Sequence, residues 1–309
     1  MLVADVPKVT VDIAPVHSVV SKVMNGVGKP DLIIPAGASP HEYQLKPSNA
    51  QSLEDADIVF WVGEDLTPWL EKGLSSLAQD ASITSLLGVD GIELLSFREG
   101  ALFEAHDHDD HDDHGKKKHD DHDDHDDHDD HDDHEGHAHG EYDPHAWLSP
   151  QIAKVWLNVI AAKLSEMDPD NAAKYFSNAK SARDNVDSLV SEVNSILDPM
   201  RDKKFVVFHD AYQYFEKDFG ISASGAISLG DASDPSPARL AVIRKRVVDE
   251  AVECVLAEPQ YKQGLVKAVV EGTNANNAVI DPLGAKLEPG PNLYENLIRN
   301  LATNLAKCF

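Results

Sequence analysis

Residues 57–63 read DIVFWVG, an uninterrupted apolar run typical of a strand buried inside a parallel sheet. Apolar runs of the same kind precede it at 8–13 (KVTVDI) and 31–35 (DLIIP), with helix-like stretches at 16–26 and 47–56. The alternation restarts after residue 200, with apolar runs at 205–209, 221–227, 254–258 and 276–280, and helical patterns at 236–250, 262–272 and 291–307. Continuous apolar strands separated by helices predict parallel sheets that helices cover on both faces. The sequence therefore predicts an α/β fold with two lobes.

A long helical region separates the two blocks of strands. Residues 151–167 have one helical pattern, and a second runs from about 170 to 197 without Gly or Pro, until Asp198-Pro199. At about 1.5 Å per residue the second helix is ~40 Å long, which is enough to join two lobes as a rigid strut. We expect an N-terminal α/β lobe at 1–168, a linker helix at 169–199 and a C-terminal α/β lobe at 200–309.

The formal net charge of −27 is concentrated in one segment. Residues 104–141 contain 18 Asp or Glu residues against three Lys residues, and much of the segment repeats the triplet DDH. Because it has almost no apolar side chains, we expect a disordered loop within the first lobe. An acidic surface repels nucleic acid and attracts cations, so we expect no nucleic-acid partner.

Most of the histidines lie in the same acidic segment, which holds 12 of the 16. Histidine and aspartate in alternation bind divalent metals weakly, because the ligands are many but none is held in place. The alternative is a solvated acidic linker in which the histidines are incidental. Secondary metal sites are predicted at His106, His108, His111, His114, His119, His122, His125, His128, His131, His134, His137 and His139.

The first residues, MLVADVPKVTVDI, contain no basic segment followed by a long apolar run, so they do not form a signal peptide. No apolar run approaches the ~20 residues that span a bilayer. The protein is expected either to be cytosolic or to have lost a leader. The two cysteines, Cys254 and Cys308, form either one bridge or two unrelated buried thiols.

Only four histidines lie outside the acidic segment: His17, His41, His145 and His209. His41 and His209 follow apolar strands, one in each block, and ligands of open α/β sheets bind at that carboxyl edge. Three neutral imidazoles suit zinc and leave a fourth coordination position open. Asp281 follows the last apolar run and is either that fourth ligand or a turn residue before Pro282. We expect a local role for His17.

Four motifs in order carry a family resemblance: GASPHEYQLKPS (37–48), DPHAWLSP (143–150), VVFHDAYQYF (206–215) and VIDPLG (279–284). Together they resemble the metal-specific solute-binding proteins of bacterial ABC importers. The acidic, His-rich insertion before DPHAWLSP resembles the zinc-uptake branch, of ZnuA type. The resemblance covers nearly the whole chain. It implies two α/β lobes joined by a rigid helix, with zinc in the cleft between them. It also implies a periplasmic location with the leader removed, and an ABC permease as partner.

Carried over by position, the zinc ligands of this branch fall on His41, His145 and His209. The manganese and iron branches usually have a carboxylate in place of His209, and nitrogen ligands favour zinc over manganese. Asp281 matches a carboxylate that ligates the metal in some members and only approaches it in others. Some zinc-branch members have a carboxylate where this chain has Pro40, so the fourth ligand is Asp281 or water. Related zinc-branch proteins pair the cysteines that match Cys254 and Cys308.

The function that these features predict is capture of Zn²⁺ and its delivery to the permease, by a monomer that is not an enzyme. Within the transporter class the alternative is a manganese-specific protein. A zinc hydrolase also uses three histidines and an open position, but no HExxH motif is present. A metal buffer or surface adhesin, with zinc held in the DDH tract, is the third alternative.

Overall fold

Two parallel four-stranded sheets form the framework of the chain, and the computed structural model describes residues 6–98, 103, 142–228 and 235–309. The first sheet has the order β2-β1-β3-β4 and contains β1 (Val9–Val11), β2 (Asp31–Leu32), β3 (Ile58–Trp61) and β4 (Ser82–Ser85). The second has the order β6-β5-β7-β8 and contains β5 (Phe205–His209), β6 (Ala226–Ser228), β7 (Cys254–Ala257) and β8 (Asn276–Val279). The predicted α/β fold is therefore confirmed.

Helices connect the strands of both sheets. They are α1 (Ala14–Val23), α2 (Pro47–Glu54), α3 (Pro68–Leu77), α4 (Pro150–Met167), α5 (Ala172–Leu197), α6 (Gln213–Phe219), α7 (Pro237–Asp249), α8 (Gln263–Val270) and α9 (Leu293–Ala306). The starts of α4 and α7 show why they form where they do. Each has proline in its first turn, and the hydroxyls of Ser149 and Ser236 accept backbone N–H bonds from Ile152 and Arg239. Proline and a serine cap together satisfy a helix start.

The linker between the sheets is a single long helix, α5. Its 26 residues extend ~39 Å, at 1.5 Å per residue. It packs against α1, α4 and α9, so helices from both ends of the chain meet on it. The face that it buries repeats every three or four residues and consists of Tyr175, Ala179, Ala182, Val186, Leu189, Val193 and Leu197. The structure therefore has one long helix between its two sheets, as the sequence predicted.

Three further contacts tie the second half of the chain into the structure. The indole Nε1 of Trp147 donates to the carbonyl of Pro282 at 2.8 Å. The guanidinium of Arg98 bonds Asp210, with its Nε 3.0 Å from the carboxylate, and Glu216, with its Nη1 at 2.8 Å. Cys254 and Cys308 form a disulfide that fixes the C-terminal end to β7, which confirms the predicted pairing.

The carboxyl edge of the second sheet carries several polar residues. His209 ends β5, Glu258 directly follows β7, and Asp281 lies two residues beyond β8. This is the edge at which parallel α/β sheets bind their ligands. Among the helices of the described ranges, none combines the length and the apolar character needed to cross a bilayer.

Candidate metal centre

His41 lies in a turn that neighbouring residues hold in place. The Nε1 atom of Trp69 donates to the carbonyl of Pro40 at 2.8 Å, and the backbone N–H of His41 donates to the Ser39 hydroxyl at 3.3 Å. Gly37 starts this loop with φ +93°, and a Cβ there would lie 3.3 Å from the Cβ of Ala285. Because glycine has no Cβ, the loop that carries His41 approaches the second half of the chain closely.

His145 is oriented by a carboxylate two residues before it. It precedes the short 3₁₀ turn Ala146–Leu148, and its side chain is only 2% exposed. Asp143 Oδ1 accepts both the backbone N–H of His145, at 2.9 Å, and its ring Nδ1, at 2.7 Å. The ring Nε2 is buried, and no described residue forms a hydrogen bond with it. Since Nδ1–H points to Asp143, Nε2 carries the free lone pair.

His209 has the same arrangement, with a carboxylate from the neighbouring strand. It is the last residue of β5, and Glu258 lies one residue beyond β7, which pairs with β5. Glu258 Oε1 lies 2.7 Å from Nδ1 of His209, and both side chains are almost completely buried. Nε2 of His209 therefore lies on the side of the ring that faces away from Glu258.

The three histidines converge on one point. One ring nitrogen from each of His41, His145 and His209 lies within 4.8 Å of the other two. The ring centroid of His145 is 5.6 Å from that of His41 and 5.3 Å from that of His209. They line a small cavity of about 10 Å³, whose wall also contains Ser39, Pro40, Trp147, Glu258, Gln260, Tyr261, Pro282 and Leu283.

The chemistry of this cluster fits a zinc ion. Zinc binds imidazole nitrogen at about 2.0–2.1 Å, and three such ligands leave one position of a tetrahedron open. Carboxylates on the remote ring nitrogens, as at His145 and His209, fix the tautomer and make the imidazoles more basic. Burial, and then the charges of Glu258 and Asp281, raise the pKa of Tyr212 well above its ordinary value. Its phenol therefore stays protonated at neutral pH in the metal-free protein.

The remaining predicted site residues have other placements. Asp281 does not belong to the cluster: its Oδ1 accepts from Gln260 Nε2 and from the backbone of Leu283 and Gly284, each at 3.0 Å, and its Oδ2 accepts from the backbone of Ala285 at 2.6 Å. His17 Nε2 lies 3.0 Å from the carbonyl of Pro30, and burial lowers its pKa. The twelve histidines at 106–139 lie outside the described residues.

The sequence predictions missed the residues that support the ligands. Asp143 lies two positions before His145, and Glu258 lies at the same sheet edge as His209. Both positions could therefore have been noted from the sequence as carboxylates close to the predicted ligands. Assigning Glu258 to His209 requires knowing that β5 and β7 are neighbours, which no sequence pattern states. Gln260 and Trp69 were also missed, because each acts through a contact far away in the chain.

The chain matches the family model "ZnuA: Zinc-uptake complex component A periplasmic" over residues 9–308. Among curated proteins, the high-affinity zinc uptake system protein ZnuA of Brucella abortus (strain 2308) is 50% identical over 303 residues, covering 97% of this chain and 91% of the relative. The protein of the same name from Paracoccus denitrificans (strain Pd 1222) is 48% identical over 306 residues, covering 99% and 92%.

Two solved structures share the fold. A structure titled "Crystal structure of ZnuA" has a TM-score of 0.76 and 21% identity, covering 98% of this chain and 99% of that one. A second, "Crystal structure of 138-173 ZnuA deletion mutant plus zinc bound", has the same TM-score and identity and covers 98% of both chains.

Proposed function

The chain belongs to the ZnuA family, the periplasmic component A of zinc-uptake complexes, and we propose that it captures Zn²⁺ with His41, His145 and His209 and delivers it to an ABC permease. The single observation that carries the ligand assignment is the convergence of these three imidazoles within 4.8 Å. All three belong to different chain segments, so neither local sequence nor one element explains why they meet. Nitrogen ligands alone favour zinc over manganese.

The two-lobed organisation supports this role. We assign residues 1–168 and 200–309 to two α/β lobes and 169–199 to the helix between them. Each lobe has its own parallel sheet, and the cluster takes two histidines from the first lobe and one from the second. We also propose that the protein acts as a monomer and that its role is transport rather than catalysis.

Alanine variants of the three histidines test the ligand assignment, in a chain from which residues 106–139 are deleted so that weak sites do not mask the result. Losing an outer partner of a ligand costs about 10–100-fold in metal affinity, so losing the ligand itself should cost roughly 100-fold or more. Competition titration with a zinc chelator measures this loss, and His17→Ala is the matched control. Unchanged affinity in the triple variant would refute the assignment. A repeat with Mn²⁺ tests the choice of metal.

The histidines of the acidic segment are proposed to hold additional zinc weakly. They are numerous and lie among carboxylates that attract cations, but the sequence around them provides nothing to fix their geometry. Deleting residues 106–139 should leave one tight site and remove several weak ones in a zinc titration. An unchanged stoichiometry after the deletion would rule out metal binding by this segment.

A further inference from the structure

Gln260 has a side-chain oxygen beside the metal cavity that lacks a hydrogen-bond donor. Gln260 lines the cavity together with His41, His145 and His209. Its Nε2 donates to Asp281 Oδ1 at 3.0 Å. Its Oε1 is buried, and none of the described residues donates to it.

Asp281 fixes which way the Gln260 amide faces. The Asp281 carboxylate already accepts backbone N–H bonds from Leu283, Gly284 and Ala285. A carboxylate that accepts these bonds needs a donor, not an oxygen, as its next neighbour. Flipping the amide would place Oε1 against Oδ1 of Asp281. Nε2 of Gln260 therefore faces Asp281, and Oε1, which can only accept hydrogen bonds, is the amide atom that remains for another partner.

A buried acceptor without a donor destabilises the protein, so a donor is expected to be present when the site functions. Glu258 also lines the cavity, and its Oε2 is a second buried acceptor to which none of the described residues donates. A zinc ion on three imidazoles leaves one position open, and a water bound there has two hydrogens to donate.

We infer that Gln260 Oε1 accepts a hydrogen bond from the water that completes the coordination of zinc, and thereby reserves the fourth position for water. The inference rests on the proposed function, because it assumes zinc on the three histidines. It makes Gln260 a specificity residue and Asp281 a positioning residue. A monovalent anion bound to the metal in the fourth position has no hydrogen to donate. Its lone pairs would face the lone pairs of Gln260 Oε1, and the two groups would repel each other. The bound metal therefore keeps a neutral, exchangeable ligand that a receiving protein can replace.

Azide binding to the Co²⁺-loaded protein tests the inference, because cobalt takes tetrahedral zinc sites and its visible absorption changes when its fourth ligand changes. The variants are Gln260→Met, which keeps the length but removes the acceptor, and Gln260→Ala. Gln79→Met is the control, since that glutamine is exposed and its Nε2 donates to the carbonyl of Ser76, within its own chain segment. Removing one neutral hydrogen bond changes an equilibrium by about 1 kcal/mol, or roughly five- to tenfold. Azide should therefore bind both Gln260 variants about five- to tenfold more tightly than the wild type or the control.

Two results would overturn the inference. One is equal azide affinity in wild type and in both Gln260 variants. The other is X-ray absorption or a zinc-bound crystal structure in which Gln260 Oε1 itself ligates the metal. A different result would overturn the proposed function instead: a cobalt spectrum that is unchanged in His41→Ala would show that the metal is bound elsewhere. The two failures are thus distinguishable in the same set of samples.

Discussion

At the scale of single residues, the site depends on which nitrogen each histidine presents. Asp143 and Glu258 each lie 2.7 Å from a ring Nδ1, so His145 and His209 both present Nε2 to the cavity. Both carboxylates are nearly inaccessible to solvent, which keeps their interaction with the rings unscreened. The ligands are therefore held in a binding geometry before the metal arrives.

Glu258→Gln tests this orientation. The amide still reaches His209, but it lacks the charge that makes the imidazole basic, so zinc affinity should fall about 10–100-fold. Glu253→Gln is the matched control, because Glu253 is exposed and bonds Lys203 at the far end of the same strand. Isothermal titration with a competing chelator measures both. Equal losses in the two variants would show that Glu258 does not act through His209.

Asp12 makes stability depend on pH. It follows β1, is completely buried, and accepts backbone bonds from Ile13 and Val62. Burial raises its pKa to about 7, although the two backbone bonds lower it. Between about pH 4 and pH 7 the folded state thus binds more protons at this group than the unfolded state, so its contribution to stability falls as pH rises. A shift of this size is worth about 4 kcal/mol.

Urea unfolding of metal-free wild type and Asp12→Asn, at several pH values from 4 to 8, isolates the effect of Asp12. Asparagine does not titrate, so the free energy of unfolding of the wild type should fall relative to that of the variant by about 4 kcal/mol across this range. Parallel pH profiles for the two proteins would contradict the assignment of a raised pKa to Asp12.

At the scale of elements, Asp281 organises the turn that closes one wall of the cavity. Its carboxylate accepts the backbone N–H bonds of three residues, and that turn also receives the indole of Trp147 through Pro282. Whether Asp281 also ligates the metal stays a prediction. If Asp281 only organises the turn, loss of its side chain mainly lowers stability, whereas loss of a ligand mainly lowers zinc affinity.

Asp281→Ala separates these roles. As an organiser of the turn, Asp281 should contribute to folding, so its loss should lower the free energy of unfolding by about 1–3 kcal/mol. Zinc affinity should then fall less than in His41→Ala. Asp249→Ala, at an exposed position on α7, controls for removal of an acidic side chain. Unchanged stability together with a zinc loss as large as that of His41→Ala would identify Asp281 as a ligand.

The elements that the sequence predicted well are those with a strong local signal. The strand at 205–209 was predicted at its observed limits, because its sequence FVVFH is a continuous apolar run that ends in the histidine, and all five residues are buried. The edge strand Ser82–Ser85 was missed, since it is largely exposed and has the polar sequence SITS. Helix α6 was missed because it is short and directly follows a ligand motif.

The candidate site was predictable to a similar extent. The scarcity of histidine outside the acidic segment, and the strand ends beside His41 and His209, indicated the histidines that the structure brings together. The orienting carboxylates and Gln260 act across strands and turns that are far apart in the chain. Their contacts follow from the order of strands in the sheet, which has no local sequence signal.

At the scale of the whole molecule, the disulfide ties the C-terminus to the second sheet. Cys254 and Cys308 are 54 residues apart, and the enclosed segment contains α8, β8 and α9. By chain entropy, closing a loop of this length stabilises the folded state by about 4 kcal/mol, and measured effects are often smaller.

Replacing both cysteines with serine should therefore lower the free energy of unfolding by about 2–4 kcal/mol. Urea unfolding with and without a reductant measures this difference. The reductant should destabilise the wild type and leave the double variant unchanged. A wild type whose unfolding curve is the same in both conditions would contradict a stabilising role for the bridge.

The central claim is that three imidazoles from distant parts of the chain bind one zinc ion between the two sheets. A crystal structure of the zinc-loaded protein without residues 106–139, with anomalous data at the zinc edge, tests it most directly. We expect a single strong anomalous peak about 2.0–2.1 Å from Nε2 of His145 and His209 and from one ring nitrogen of His41. A peak at any other place, or a peak that lacks one of these histidines, would contradict it.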